Sequence, residues 1–172
     1  TLTTTGFVLF NYIDFGPTIV TLIFLMSFIG GSTGSTAGGI KIFRFQIIAS
    51  FIRCHLKQLR RPHGVFIPMY QGQKISDHLV ASVFSFIGLY LVSIAVLSIL
   101  LSLTGLDFVS ALSGAIASIG NIGAGLGNTL GPVSNVNSIH FLSKIFLMFG
   151  MILGRLELLT ALIFLSPSFW RR

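Results

Sequence analysis

Charge is what this sequence has least of. Only 9% of its 172 residues are Asp, Glu, Lys or Arg, against about 25% in an ordinary soluble domain. With 53% hydrophobic residues and a mean hydropathy of +0.92, the apolar surplus needs lipid as its solvent. Acid is scarcer than base, with 4 acidic residues against 11 basic ones. So few carboxylates leave no paired-carboxylate arrangement, and no HExxH string occurs. His55, His63, His78 and His140 are scattered and read as surface or boundary residues. No covalent chemistry and no cofactor are therefore expected. A single cysteine, Cys54, excludes an intrachain disulfide and reads as a spectator thiol. An initiator Met and a charged n-region ahead of an apolar core are also missing, so we expect no signal peptide and a chain truncated on its N-terminal side.

What charge there is has a pattern. An excess of base would suggest nucleic-acid binding if it formed one patch on a folded surface. Instead Lys41, Arg44, Arg53, Lys57, Arg60, Arg61 and Lys74 lie in one segment between apolar stretches, and Arg171 and Arg172 close the chain. Such clustering follows the positive-inside rule for cytoplasmic loops.

A membrane-spanning helix needs roughly 20 mostly apolar residues, and three stretches approach or meet that length. The first, about Pro17 to Ile52, is broken at residues 30–39, where five residues in ten are glycine, too many for a regular helix. The second, about Asp77 to Leu103, is uninterrupted. The third, about Ile139 to Ser166, is interrupted only by Lys144, Arg155 and Glu157. Between the second and third, Leu106 to Gly127 is apolar, small in its side chains and too short to span. A helix that enters and returns on the same side satisfies the charge topology. Span, re-entrant helix, loop and span make a pore-forming unit. Arg61-Pro62-His63-Gly64 and Pro68 predict a turn or short irregular stretch.

Three strings carry the chemistry. In Gly120-Asn121-Ile122-Gly123-Ala124-Gly125-Leu126-Gly127 the glycines tolerate the unusual φ/ψ that aim backbone carbonyls at one axis, as removal of potassium's water requires. A dinucleotide loop would need Gly where Asn128 stands and a strand before it. Packing glycines between membrane helices are the simpler alternative. Thr3-Thr4-Thr5-Gly6-Phe7, uninformative alone, precedes a span just as the Asn121 string does, and resembles the Thr-Val-Gly-Tyr-Gly filter type. The break itself, Gly30-Gly31-Ser32-Thr33-Gly34-Ser35-Thr36-Ala37-Gly38-Gly39, is not a phosphate loop. Lys41 is displaced by one position, and no Ser or Thr follows it. Polar irregular backbone at membrane depth belongs where it lines a cavity or is buried in protein. A mere packing hinge is the alternative.

Gly30 to Lys41, Asn121 to Gly127 and Gly154-Arg155-Leu156-Glu157, in that order, resemble the potassium uptake subunits of the Trk, Ktr and HKT superfamily, with the TrkH/KtrB-like bacterial branch the nearest. Pro167 to Arg172 resembles the end of that family, so the resemblance covers the whole chain. It implies an all-α membrane protein with four span-pore helix-span repeats around one axis, of which this chain supplies the end of the third and the whole of the fourth. Residues 1–7 would end the third pore loop, and 8–52 would be an outer loop and a broken transmembrane helix. A basic cytoplasmic linker would fill 53–76, and a transmembrane helix 77–104. The pore helix and fourth filter strand would take 105–127, an outer loop 128–138, a transmembrane helix 139–167 and a cytoplasmic end 168–172.

Thr4, Thr5 and Gly6 would then bind potassium in the third filter strand, and Asn121, Ile122 and Gly123 in the fourth. The loop Gly30, Gly31, Ser32, Thr33, Gly34, Ser35, Thr36, Ala37, Gly38 and Gly39 would obstruct the pore below the filter, with Arg155 projecting beside it. Ala124 stands where the family commonly has Pro. Arg155 and Glu157, two apart on a helix, do not face each other. Arg155 is expected to face the pore and donate to the loop, and Glu157 to pair with another helix. The implied partners are the N-terminal half of the subunit, a second copy forming a homodimer, a cytosolic nucleotide-binding regulatory subunit and the bilayer. The implied location is the bacterial inner membrane, crossed several times. The rival from another class is a membrane-embedded scaffold or enzyme subunit whose glycines serve helix packing.

Overall fold

In the computed structural model the described residues are 4–6, 15–32, 34–35, 37–61, 64, 66–70, 72–127, 129–131 and 139–156. Among the described residues five helices carry the fold: α1 (Pro17–Met26), α2 (Ile42–Arg60), α3 (Asp77–Leu103), α4 (Phe108–Ile119) and α5 (Phe141–Arg155). A two-residue hairpin, β1 (Met69–Tyr70) with β2 (Gln73–Lys74), links α2 to α3 in antiparallel register Met69 to Lys74.

α3 is the axis of the structure. Ser76 caps it by accepting the Leu79 N–H at 3.3 Å, and its 27 residues rise about 40 Å at 1.5 Å each. That exceeds the roughly 30 Å of a bilayer core. Among the described residues it is the one helix both long and apolar enough to cross a membrane. Val80, Val83, Phe86, Tyr90, Ile94, Leu97 and Leu101 form its buried stripe, spaced three and four residues apart as a 3.6-residue period demands. The opposite face carries Phe84, Leu91, Val92, Val96 and Ile99, all exposed. A helix facing water would be polar there.

α4 has 12 residues and rises about 18 Å, well short of the roughly 30 Å of a bilayer core. Asp107 caps it, accepting the Ser110 N–H at 3.2 Å, and hydrogen bonding to Ser110 holds the exposed Asp107 carboxyl below its ordinary range. Nearly every residue from Ser110 to Ile119 is buried, because Ala, Ser and Gly side chains let α3 and α5 close on it. α5 starts at His140, whose Nδ1 accepts the Leu142 N–H at 3.3 Å. It packs through Ser143, Leu147 and Gly150, and Ser143 Oγ donates to Thr104 Oγ1 at 2.8 Å.

One feature differs from the sequence reading. α2 does not stop near Ile52 but runs to Arg60, because Leu56, Lys57, Gln58 and Leu59 favour helix as strongly as the apolar turns before them. Lys57 and Arg60 then sit in its last turn, where cations complement the helix dipole. The β hairpin beyond it folds back onto α2: Ser50 Oγ donates to the Met69 carbonyl at 2.8 Å, and Cys54 Sγ to the Phe66 carbonyl at 3.1 Å. Of the third apolar stretch, α5 covers Phe141–Arg155, and residues 157–172, Glu157 among them, lie outside the described residues.

Candidate functional site

The backbone after α4 turns back on the helix it has just left. The N–H groups of Gly120, Asn121 and Ile122 donate to the carbonyls of Ile116, Ser118 and Ala117 at 2.8, 3.0 and 2.8 Å, and Gly123 N–H reaches Ala117 at 3.4 Å. These bonds satisfy the carbonyls left open at a helix C-terminus. They also fix the donor side of the strand. Among the described residues, none of the carbonyls of residues 120–123 accepts a backbone hydrogen bond. Asn121 (φ 53°) and Gly123 (φ 90°) lie in the left-handed region on either side of Ile122, which is buried.

The Thr-Gly string repeats this pattern. Thr4 (φ 50°) and Gly6 (φ 77°) take left-handed backbone at the positions matching Asn121 and Gly123. For a β-branched residue that conformation is an outlier, costing on the order of 1–3 kcal/mol that surrounding structure must hold in place. Gly6 lies directly against the Ile122 carbonyl, where a β-carbon would collide with the oxygen. The two strings, more than a hundred residues apart in sequence, are therefore neighbours.

The glycine-rich break is a stapled loop. Gly30 N–H donates to the Ile40 carbonyl at 2.9 Å, Ile40 N–H to Phe28 at 3.3 Å and Ile42 N–H to Gly31 at 3.2 Å, with a parallel bridge between Ile29 and Ile40. Inside the staple, Ser35 N–H donates to the Ser32 carbonyl at 3.0 Å, and Ala37 N–H to Ser35 Oγ at 3.1 Å. Ser32 and Gly34 are exposed, whereas Gly30 and Gly38 are buried. Thr33 and Thr36 lie outside the described residues. Gly38 packs on the Gly120 carbonyl so closely that a β-carbon there would strike it. The loop thus touches the base of the α4 strand. Gly154 of α5 meets the Ile119 carbonyl in the same way.

Beside these contacts lies a cavity of about 230 Å³ lined by Ser35, Ala37, Gly38 and Gly39 of the loop together with Lys41, Arg44, Tyr90 and Arg155. Arg155 and the loop thus line one space. Arg44, grouped with the basic segment by its charge, is packed into the protein. Its side chain is only 9% exposed, with the guanidinium 3.6 Å from the centre of the Phe86 ring and 5.0 Å from that of Phe43. Burying a cation is costly unless it finds partners, and aromatic faces supply one. The available signal was the aromatic residue on each side of Arg44, Phe43 and Phe45, which the later basic residues lack. Among the described residues no group of three or more His, Cys, Asp or Glu side chains could hold a metal ion.

A helix long and apolar enough to cross a bilayer, its lipid-like exposed face, and a short apolar helix buried beside it define the chain as a mostly α-helical protein of the membrane class. The whole chain, residues 1–172, matches the TrkH family of cation transport proteins, and it belongs to that family. It is 42% identical over 171 residues to a Trk system potassium uptake protein, TrkI, of Halomonas elongata, covering 99% of this chain and 35% of the relative. It is 33% identical over 170 residues to TrkG of Escherichia coli, covering 99% of this chain and 34% of that protein. The crystal structure of the potassium transporter TrkH from Vibrio parahaemolyticus superposes with a TM-score of 0.87 at 34% identity, over 98% of this chain and 36% of that one. The chain thus spans about a third of the length of the relatives it matches. The family resemblance read from the three glycine strings is met by these matches.

Proposed function

We propose that the full-length protein carries potassium into the cell through a filter of backbone carbonyls, and that this chain provides two of the filter's strands and the gate beneath them. The observation that carries this reading is the matched backbone of Thr4-Thr5-Gly6 and Asn121-Ile122-Gly123, brought side by side at Gly6 and Ile122. Left-handed backbone at every other residue turns successive peptide planes so that their carbonyls can face one axis, which is what replacing an ion's water requires. The C-terminus of α4 points its partial negative charge, about half an elementary charge, at the base of the strand, where a cation gains from it.

In this reading the chain ends the third of four span-pore helix-span repeats and supplies the fourth, in a multi-pass protein of the bacterial inner membrane. The loop of residues 30–39 closes the path below the filter, and Arg155 adds a positive barrier from the cavity it shares with the loop. An arginine within a span costs roughly 2.5 to 3.5 kcal/mol on insertion scales, which favours a wet path or a partner over lipid. The remaining two thirds of the subunit would complete the ring of repeats. A second copy forming a homodimer and a cytosolic nucleotide-binding subunit at the basic segment are the further partners. Potassium is the cargo, and no cofactor is involved. Glycine-mediated packing explains Gly154 but gives no reason for left-handed backbone at Thr4 and Asn121.

The test is complementation. The full-length protein should restore growth of a potassium-uptake-deficient bacterium at limiting potassium, and sodium should not substitute. No rescue by a correctly inserted protein would overturn the reading.

A further inference from the structure

We propose that Ser113 is a positioning residue that ties the outer end of the fourth filter strand to α4 and thereby holds the filter at potassium's size; this rests on the filter reading above. Ser113 is 4% exposed. Its Oγ donates to the Leu126 carbonyl at 2.6 Å and accepts the Leu126 N–H at 2.9 Å. A helical serine normally turns its single proton back to a carbonyl three or four residues earlier. Here the Ser110 carbonyl lies at 3.4 Å, against 2.6 Å for Leu126. The one hydroxyl hydrogen goes to the shorter partner, so the side chain serves the strand rather than its own helix.

The inner end of the same strand is tied one helical turn further on, where the Ala117 carbonyl accepts the N–H groups of Ile122 and Gly123. Residues four apart lie on one face of a helix, so Ser113 and Ala117 offer the strand two anchors about 6 Å apart along α4. The carbonyl-bearing residues begin at the inner anchor, and Ala124 and Gly125 bridge to the outer one. Gly125 is further tied to Leu130, its N–H donating at 3.0 Å. A β-carbon at Gly125 would come within 3.4 Å of Ser113 Oγ, so strand and helix are in contact at this point. A strand tied at both ends resists contraction around an ion smaller than potassium. With the Ser113 tie gone, the carbonyls can follow sodium inward.

The experiment uses the full-length protein in liposomes, comparing rubidium and sodium uptake for Ser113→Ala, Ser143→Ala and Gly123→Ser. Ser143 is an equally buried serine that donates to Thr104 rather than to the strand, so its alanine variant reports the cost of any lost serine bond. Ser113→Ala should shift discrimination toward sodium on the order of threefold to tenfold, the scale of two lost neutral hydrogen bonds, while Ser143→Ala leaves it unchanged. If Gly123→Ser relaxes discrimination and Ser113→Ala does not, the tie is wrong and the filter stands. If neither variant shifts it, the filter reading fails and the tie with it. Where Ser113→Ala yields too little uptake, thermal protection of the purified protein by potassium over sodium replaces it. That preference should shrink in Ser113→Ala alone, and a preference equal to the parent's overturns the proposal.

Discussion

The backbone of Gly6 runs so close to the Ile122 carbonyl that a β-carbon at position 6 would collide with its oxygen. At Gly123, by contrast, a β-carbon would meet nothing within 4 Å. Both glycines have positive φ, so both positions dislike a side chain, but only at position 6 does a side chain also push on the neighbouring strand. Gly6→Ala should therefore depress rubidium uptake per inserted molecule more than Gly123→Ala does. Equal effects of the two would mean that the strands do not bear on each other.

Because Gly38 rests on the Gly120 carbonyl, the loop can move only by leaving the base of the strand that follows α4. Removing Ser32 to Gly34 shortens the loop while keeping the backbone bonds that join Gly30 to Ile40 and Gly31 to Ile42. Maximal rubidium uptake should rise, with the preference for potassium over sodium unchanged, since the filter is untouched. An inserted, shortened protein with parental uptake would leave the loop as packing.

Arg155 lines one cavity with Gly38 and Gly39. If its charge is a barrier to cations, Arg155→Ala should raise maximal uptake at unchanged preference. Slower transport by a normally inserted variant would give the arginine a structural role.

Arg44 is buried against Phe86, so it joins the helix that leaves the loop to α3. Arg44→Lys keeps the charge but loses the planar group that lies on a ring. It should lower the melting temperature of the full-length protein by an amount corresponding to about 1 kcal/mol, and Arg44→Gln should lower it further. A lysine variant as stable as the parent would show that charge alone matters at this position.

These contacts mark where sequence reasoning stops. α3 could be read because its apolar run is uninterrupted, and the helix break because five glycines in ten cannot stay helical. The strings that form the candidate site could be picked out by composition and order. Their meeting could not, since nothing local places Gly6 on Ile122 or Gly38 on Gly120. The extension of α2 to Arg60 was missed because apolar length was taken for helix length. Charge alone hid Arg44, which joins a core through its flat apolar face. Ser113 carries no signal in sequence, since a serine among Ala, Gly and Ser looks like packing until its two bonds to Leu126 are seen.

The central claim is that the carbonyls around Gly123 select the ion. Its most direct test is the ratio of rubidium to sodium uptake by the full-length protein in liposomes, measured for the parent and for Gly123→Ser. A side chain forced onto left-handed backbone should distort the carbonyl geometry. The expected result is strong preference for rubidium in the parent and a ratio reduced roughly tenfold or more in the variant, a loss of about 1.4 kcal/mol or more of discrimination. An unchanged ratio in a correctly inserted Gly123→Ser protein would contradict it.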